Sequence, residues 1–206
     1  ASDEDFDRLM ENIRSELDNA VLRVMTCHPD YLIMGMSSET FWGGLETSIR
    51  LRTRMEELSG LKVAMGSDAC QAALKCYGDI KRIAVLTPYW PVGDENVLKF
   101  FADCGFEVVR LKGLKCNSPV LIAHVQENEL RHALIELDGD DVEAIVQVGI
   151  NLAMARLAGE AEGWLNKPVL AINTAIYWYA LRSNGFPDPV PGFGSLLTDY
   201  AELPAA

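Results

Sequence analysis

Positive charge is what this chain is shortest of. Its 206 residues carry 30 Asp and Glu against 18 Lys and Arg, a formal net charge of −12. Phosphate backbones need a basic footprint, so nucleic acid is not an expected partner. A small anion remains admissible, because backbone N–H groups and hydroxyls can hold a carboxylate whatever the global charge. No stretch is apolar for the roughly 18 residues of a membrane span, and no membrane partner is expected. No secretory leader is visible in the acidic, amphipathic opening residues. The five cysteines (Cys27, Cys70, Cys76, Cys104, Cys116) form no CxxC pair and no zinc-like spacing with the three histidines. An odd cysteine count without a leader reads as reduced thiols and a cytoplasmic location. No G-x-G-x-x-G follows a strand, so a dinucleotide site has little support.

Apolar residues, by contrast, make up 49% of the chain, enough for a real core. Phe6, Leu9, Ile13, Leu17, Val21 and Val24 recur at helical spacing, with Ser2 or Asp3 as cap, and predict a helix over 2–27 that His28-Pro29-Asp30 breaks. Strands are expected at 31–36, 61–65, 82–86, 106–111, 144–148 and 168–172. Helices are expected at 38–60, 68–77, 94–104, 127–137, 151–165 and 174–182, several stopped by glycine. The tail is rich in Gly and Pro. Strand and helix alternate, and the strands are continuous apolar runs, which predicts an α/β protein whose parallel sheets are covered by helices on both faces.

Two stretches repeat one another. Val63-Ala-Met-Gly-Ser-Asp-Ala-Cys-Gln-Ala-Ala-Leu74 and Val169-Leu-Ala-Ile-Asn-Thr-Ala-Ile-Tyr-Trp-Tyr-Ala180 each run from a short apolar strand through small polar residues into a helix. Each follows another strand with a polar exit, Tyr31-Leu-Ile-Met-Gly-Met-Ser-Ser38 or Ala144-Ile-Val-Gln-Val-Gly-Ile-Asn151. A duplicated unit predicts two pseudo-symmetric Rossmann-like lobes, residues 1–82 (with the tail 186–206 packing on them) and 83–185. Ligands in such sheets bind beyond the carboxyl ends of the strands. Polar groups collect there: Gly35-Met-Ser-Ser38, Gly66-Ser-Asp68, Thr87-Pro-Tyr89, Gly149-Ile-Asn151 and Asn173-Thr174. Free N–H groups at helix starts, joined by short hydroxyl and amide side chains, suit a carboxylate and the charge that develops on it in a reaction. The same residue types are also the preferred helix caps. Cys116, between Lys112 and Lys115 on one side and the loop before Pro119 on the other, is the candidate reactive thiol, since neighbouring lysines lower a thiol pKa. His124 on the same segment is a candidate acid or base. One ring of Phe41-Trp42 is placed to meet a substrate group, and Tyr177-Trp178-Tyr179 point three ways on a helix, with core packing the default.

The run Leu86-Thr-Pro-Tyr89, Gly93-Asp-Glu-Asn-Val97, Phe100-Phe101 and Gly105-Phe-Glu-Val108 resembles the middle of the aspartate/glutamate racemase superfamily, in its arylmalonate decarboxylase and maleate cis-trans isomerase branch. Met34-Gly-Met-Ser37, Gly149-Ile-Asn-Leu152, Lys167 to Thr174 and Pro191-Gly-Phe-Gly194 resemble further segments of that branch in order. The resemblance implies two lobes with the active site between them and no metal or organic cofactor. It implies that Ser37, Ser38 and Tyr89, with the backbone at Gly149, Ile150 and Asn151, hold a substrate carboxylate, that Asn173 and Thr174 approach from the second lobe, and that Pro119 and Ile122 form the apolar wall. Members of the superfamily use cysteine at one or both of two symmetric strand ends; here those positions are Gly35 and Val148. The opening strand and loop of the family have no counterpart in this sequence. The expected function is a cofactor-independent decarboxylase-like enzyme acting on a small carboxylate or dicarboxylate. The alternatives are a maleate isomerase-like enzyme and a non-catalytic carboxylate-binding homologue. A homo-oligomer is possible.

Overall fold

Ser2 caps the first helix, its hydroxyl accepting the Asp5 N–H, and Asp3, Glu4 and Asp5 sit in the first turn, where the helix dipole favours anions. The structure is a computed structural model that describes residues 2–204; Ala1, Ala205 and Ala206, at the outer ends of the expected first lobe and its tail, lie outside the described residues. In chain order the elements are α1 (Asp3–Val24), β1 (Leu32–Ile33), α2 (Ser37–Phe41), α3 (Leu45–Ser59), β2 (Val63–Ala64), α4 (Gly66–Cys76), β3 (Arg82–Thr87), α5 (Pro91–Asp103), β4 (Glu107–Gly113), α6 (Pro119–Ile122), α7 (Glu127–Leu137), β5 (Ala144–Gln147), α8 (Ala155–Leu165), β6 (Val169–Ala171), α9 (Ile172–Ser183) and α10 (Ser195–Asp199).

The expected alternation is present, with local differences. The helix expected over 38–60 is two helices, because Gly43 and Gly44 take φ of 75° and 85°, outside helical space. The helix expected from 151 starts at Ala155, since Gly149 to Met154 form a turn in which Leu152 N–H donates back to the Gly149 carbonyl at 3.1 Å. The short helices α6 and α10 were expected as loop and tail. Four residues of α6 are too few to show a period in sequence; Ser118 caps it, accepting the Leu121 N–H at 3.2 Å.

All described strands pair in parallel. β1 and β2 form one sheet, and the second has the order β4-β3-β5-β6. In the second sheet Val85 lies between Leu111 and Val146, and Val146 pairs Leu170, so each strand end is set level with its neighbour. One apolar core spans both halves of the chain and includes Phe41, Ala69, Val85, Phe100, Val146, Ala175 and Trp178. A second lies beneath α7 and α8, and a third joins α1 and α3 to β1 and β2.

The duplicated stretches meet each other. α4 and α9 pack together, and a Cβ on Gly66 would lie 2.8 Å from the Ile172 side chain. Small residues on both helices (Ala69, Ala73, Ala175) permit that approach and are fully buried. The second strand exit, Gly66-Ser-Asp68, is therefore spent on structure. Ser67 Oγ shares a hydrogen bond with Ser48 Oγ at 2.7 Å, and Asp68 pairs with Arg52 at 2.7 Å.

Candidate functional site

The exits after Met36 and Val148 open into a common hollow of about 260 Å³. Its lining includes Gly35, Ser37, Ser38, Tyr89, Gly149, Ile150 and Asn151. Ser37 is the hub: its buried Oγ lies 2.9 Å from Tyr89 Oη and accepts the Ile150 N–H at 3.1 Å. A residue from the first strand exit thus joins one from β3's exit and a peptide from β5's. Ser38, beside it, gives its hydroxyl to Met10 Sδ at 3.3 Å. Asn151 Nδ2 donates to the Pro119 carbonyl at 3.1 Å and ties α6 across the mouth.

Much of the apolar lining comes from α1. Phe6, Leu9 and Ile13 line the hollow together with Met36, Pro119 and Ile122. The stripe on α1 therefore does two jobs, since Leu17 and Val21, further along it, enter the core against β1 and β2. An ion pair sets the helix in place: Arg14 Nε and Nη2 donate to the two carboxylate oxygens of the buried Glu39 at 2.7 and 2.9 Å. Such a bidentate pair fixes orientation as well as position. Phe6 then packs against Tyr89 (centroids 5.6 Å apart) and Trp42 (6.0 Å).

A second hollow of about 130 Å³ adjoins the first and shares Phe6, Leu9, Tyr89, Pro119 and Ile122 with it. Trp90, Cys116 and Asn117 line this part only. No Lys or Arg lines either hollow. An anion here would be held by neutral donors alone, which act strongly where water is excluded.

Tyr89 is aimed from behind. Its N–H donates to Thr87 Oγ1 at 3.1 Å, and the Thr87 hydroxyl donates to Asp94. Burial pushes the Asp94 carboxyl up to about 6, against the opposing pull of Thr87 and Lys115. Burial also pushes the Tyr89 phenol above its ordinary value, so it stays a neutral donor.

Several expectations are corrected. Asn173 and Thr174 do not line the hollow with Ser37; they line a separate apolar one with Tyr177, Val190, Phe193 and Leu197. Asn173 Nδ2 donates instead to the Ile150 carbonyl at 2.9 Å, bracing from outside the peptide whose neighbour Ser37 holds. Lysine does not activate Cys116. Lys112 pairs with Glu136, and burial, with Glu129 adding to it, pushes the Cys116 thiol up. His124 follows α6 on the exposed side and lines neither hollow. Phe41 is a core residue with no exposed surface, while Trp42 backs Phe6. Of the three consecutive aromatics, Trp178 is buried and Tyr177 exposed.

The two symmetric strand ends carry no ionisable group. A Cβ on Gly35 would meet nothing within 4 Å, whereas Val148 is fully buried. Among the described residues no group of His, Cys, Asp and Glu is spaced to hold a metal ion, and no helix is long and apolar enough to cross a membrane.

Sequence reasoning missed the α1 wall, the Asp94 brace and the side chain of Gln147. The wall looked like any core stripe. Asp94 reads in sequence as an ordinary helix start. Gln147, a polar residue inside a continuous apolar strand, was the legible anomaly.

Comparison with known proteins agrees with this arrangement. The model of the family described as arylmalonate decarboxylase matches residues 2–197. A maleate isomerase of Nocardia farcinica is 24% identical over 200 residues, covering 94% of this chain and 79% of that protein. Among solved structures, a maleate cis-trans isomerase mutant of Nocardia farcinica with a covalently bound succinylcysteine intermediate superposes with a TM-score of 0.87 at 23% identity, over 93% of this chain and 80% of that one. A double mutant of arylmalonate decarboxylase in its liganded form gives 0.87 at 21% identity, over 93% and 82%.

Proposed function

The chain belongs to the arylmalonate decarboxylase family, and from that premise we propose that it is a cofactor-independent enzyme that removes carbon dioxide from a small malonate-like acid bearing an apolar group. The observation that carries this reading is the make-up of the hollow's lining. Ser37, Tyr89 and the Ile150 N–H converge on one point, apolar side chains of α1 and α6 make up much of the remaining lining, and no cationic side chain lines the hollow. One carboxylate is held at the donors. A second carboxylate then lies against apolar groups, where its charge is poorly solvated, and loss of carbon dioxide removes that charge. The electron pair left on the α-carbon delocalises into the held carboxylate as an enediolate, whose growing charge the same donors stabilise.

A proton must then reach the α-carbon. Cys116 is the thiol that lines the adjoining hollow, and its raised pKa keeps it protonated near neutral pH, which suits a proton donor and not a thiolate nucleophile. Gly35 and Val148 can do neither. Their lack of ionisable side chains supports, as the second reading, a protein that binds carboxylate without turning it over.

Incubation with phenylmalonate or maleate in D₂O, followed by proton NMR, separates the readings. Phenylacetate carrying one deuterium at the α-carbon is the expected product. Fumarate formed from maleate would indicate an isomerase instead. A raised melting temperature with no conversion of either acid would indicate the binder. Cys116→Ala is expected to lower decarboxylation at least about a hundredfold, in the range of a general acid's contribution; full activity in that variant would remove Cys116 from the mechanism.

A further inference from the structure

Gln147 is fully buried at the end of β5, in a strand otherwise built of Ala144, Ile145 and Val146. Its Nε2 donates to two successive carbonyls, Val148 at 2.7 Å and Gly149 at 2.8 Å. Its Oε1 is buried without a partner. An unpaired buried acceptor is destabilising, so an aliphatic side chain would serve packing better. What the amide supplies, and Leu or Met cannot, is the pair of donated bonds.

Those bonds have a directional consequence. Across a trans peptide the C=O and the following N–H point opposite ways. With the carbonyls of Val148 and Gly149 drawn toward Gln147, the N–H groups of Gly149 and Ile150 turn away from it. The Ile150 N–H does so visibly, reaching Ser37 Oγ at 3.1 Å. Both residues line the hollow that holds Ser37 and Tyr89. The chain can make this turn because residue 149 is glycine: its φ is 103°, and a Cβ there would lie 2.5 Å from the Pro88 ring. The Gly149 carbonyl has a second donor in the Leu152 N–H at 3.1 Å, so the peptide that depends most on Gln147 is Val148–Gly149.

We propose that Gln147 is a positioning residue that aims the N–H groups of Gly149 and Ile150 at a bound carboxylate, an assignment that rests on the carboxylate-binding reading given above. It acts through the backbone and touches no substrate atom. Serine, tyrosine and two successive peptide N–H groups then surround one carboxylate, each oxygen able to take two donors.

The test is an NMR titration of ¹⁵N-labelled protein with phenylacetate, on the wild type and on Gln147→Met, which keeps the length and cannot donate. In the wild type the Gly149 and Ile150 amide resonances are expected to move as phenylacetate binds. In Gln147→Met the dissociation constant is expected to rise about tenfold, the size of one hydrogen bond to a charged group, with the Gly149 response lost first. An unchanged dissociation constant in the variant overturns the proposal, as does binding to the wild type that leaves both amides unmoved. A merely structural role would lower the unfolding midpoint and leave the affinity of the folded protein as it was, which counts against the proposal too. Wild-type protein that binds no phenylacetate overturns the carboxylate reading itself, and the Gln147 role with it. If that variant does not fold, Gln147→Glu, which keeps the shape and loses the donors, takes its place, and unmoved wild-type amides overturn the proposal in either case.

Discussion

Replacing Asp94 with Asn is expected to stabilise the protein at neutral pH, and the gain should shrink as the pH falls. Asp94 is 8% exposed on the first turn of α5 and takes the Thr87 hydroxyl proton. Burial lifts its carboxyl from 3.8 to about 6. The folded state therefore prefers the neutral acid. The stabilising contribution of that form is present in full below the unfolded pKa of 3.8 and is lost as the pH rises through about 6. From those two values, ionisation of Asp94 costs the fold about 2 kcal/mol at pH 5 and about 3 kcal/mol at pH 7.5. Asparagine keeps an acceptor for Thr87 and cannot ionise. Urea unfolding of wild type and Asp94→Asn at the two pH values measures the difference, with a gain that is larger by about 1 kcal/mol at pH 7.5 than at pH 5. A gain of equal size at both pH values, or a loss at pH 7.5, refutes the reasoning. Because Thr87 still accepts the Tyr89 N–H, phenylacetate affinity should stay within about twofold of wild type, well under the tenfold that one lost hydrogen bond gives.

Two further outcomes follow from the same contacts. Ser37→Ala removes the hub, leaving the Tyr89 hydroxyl and the Ile150 N–H without their partner; a loss of about 2–3 kcal/mol in urea unfolding and at least about a tenfold loss of phenylacetate affinity are expected, and wild-type affinity in the variant would remove Ser37 from the site. Gly35→Cys places a side chain where nothing lies within 4 Å; its stability should match wild type to within about 0.5 kcal/mol, while iodoacetamide labels the new thiol at a rate that phenylacetate suppresses. An unlabelled thiol at that position would mean that Gly35 does not face the hollow.

What the sequence determined by itself is the fold class and the elements that carry it. Continuous apolar runs at 82–86 and 144–148, with helix-period segments at 94–104 and 127–137 between them, leave little choice but parallel strands under helices, because only that layering buries both faces of each strand. The strand ends at Ser37, Tyr89 and Gly149 were likewise legible, since polar residues that end an apolar run must leave the core at the same edge of a parallel sheet. Which of those edges face one another was not. The duplication points to α4 and α9 as ligand-facing elements, yet Gly66, Ala69 and Ala175 make that pair a packed seam between the two duplicated stretches. A small residue at a helix start looks the same in sequence whether a carboxylate or another helix approaches it. The helical stripe of α1 carries no mark to separate Leu17, which meets a sheet, from Leu9, which meets a hollow. Asn173 and Gln147 act through peptides distant or adjacent in ways no local pattern encodes, because a hydrogen bond to a backbone carbonyl depends on where the chain has turned and not on which residue supplies the carbonyl. Periodicity reports burial along one element. Convergence of donors on one hollow is a property of several elements at once, and only their packing decides it.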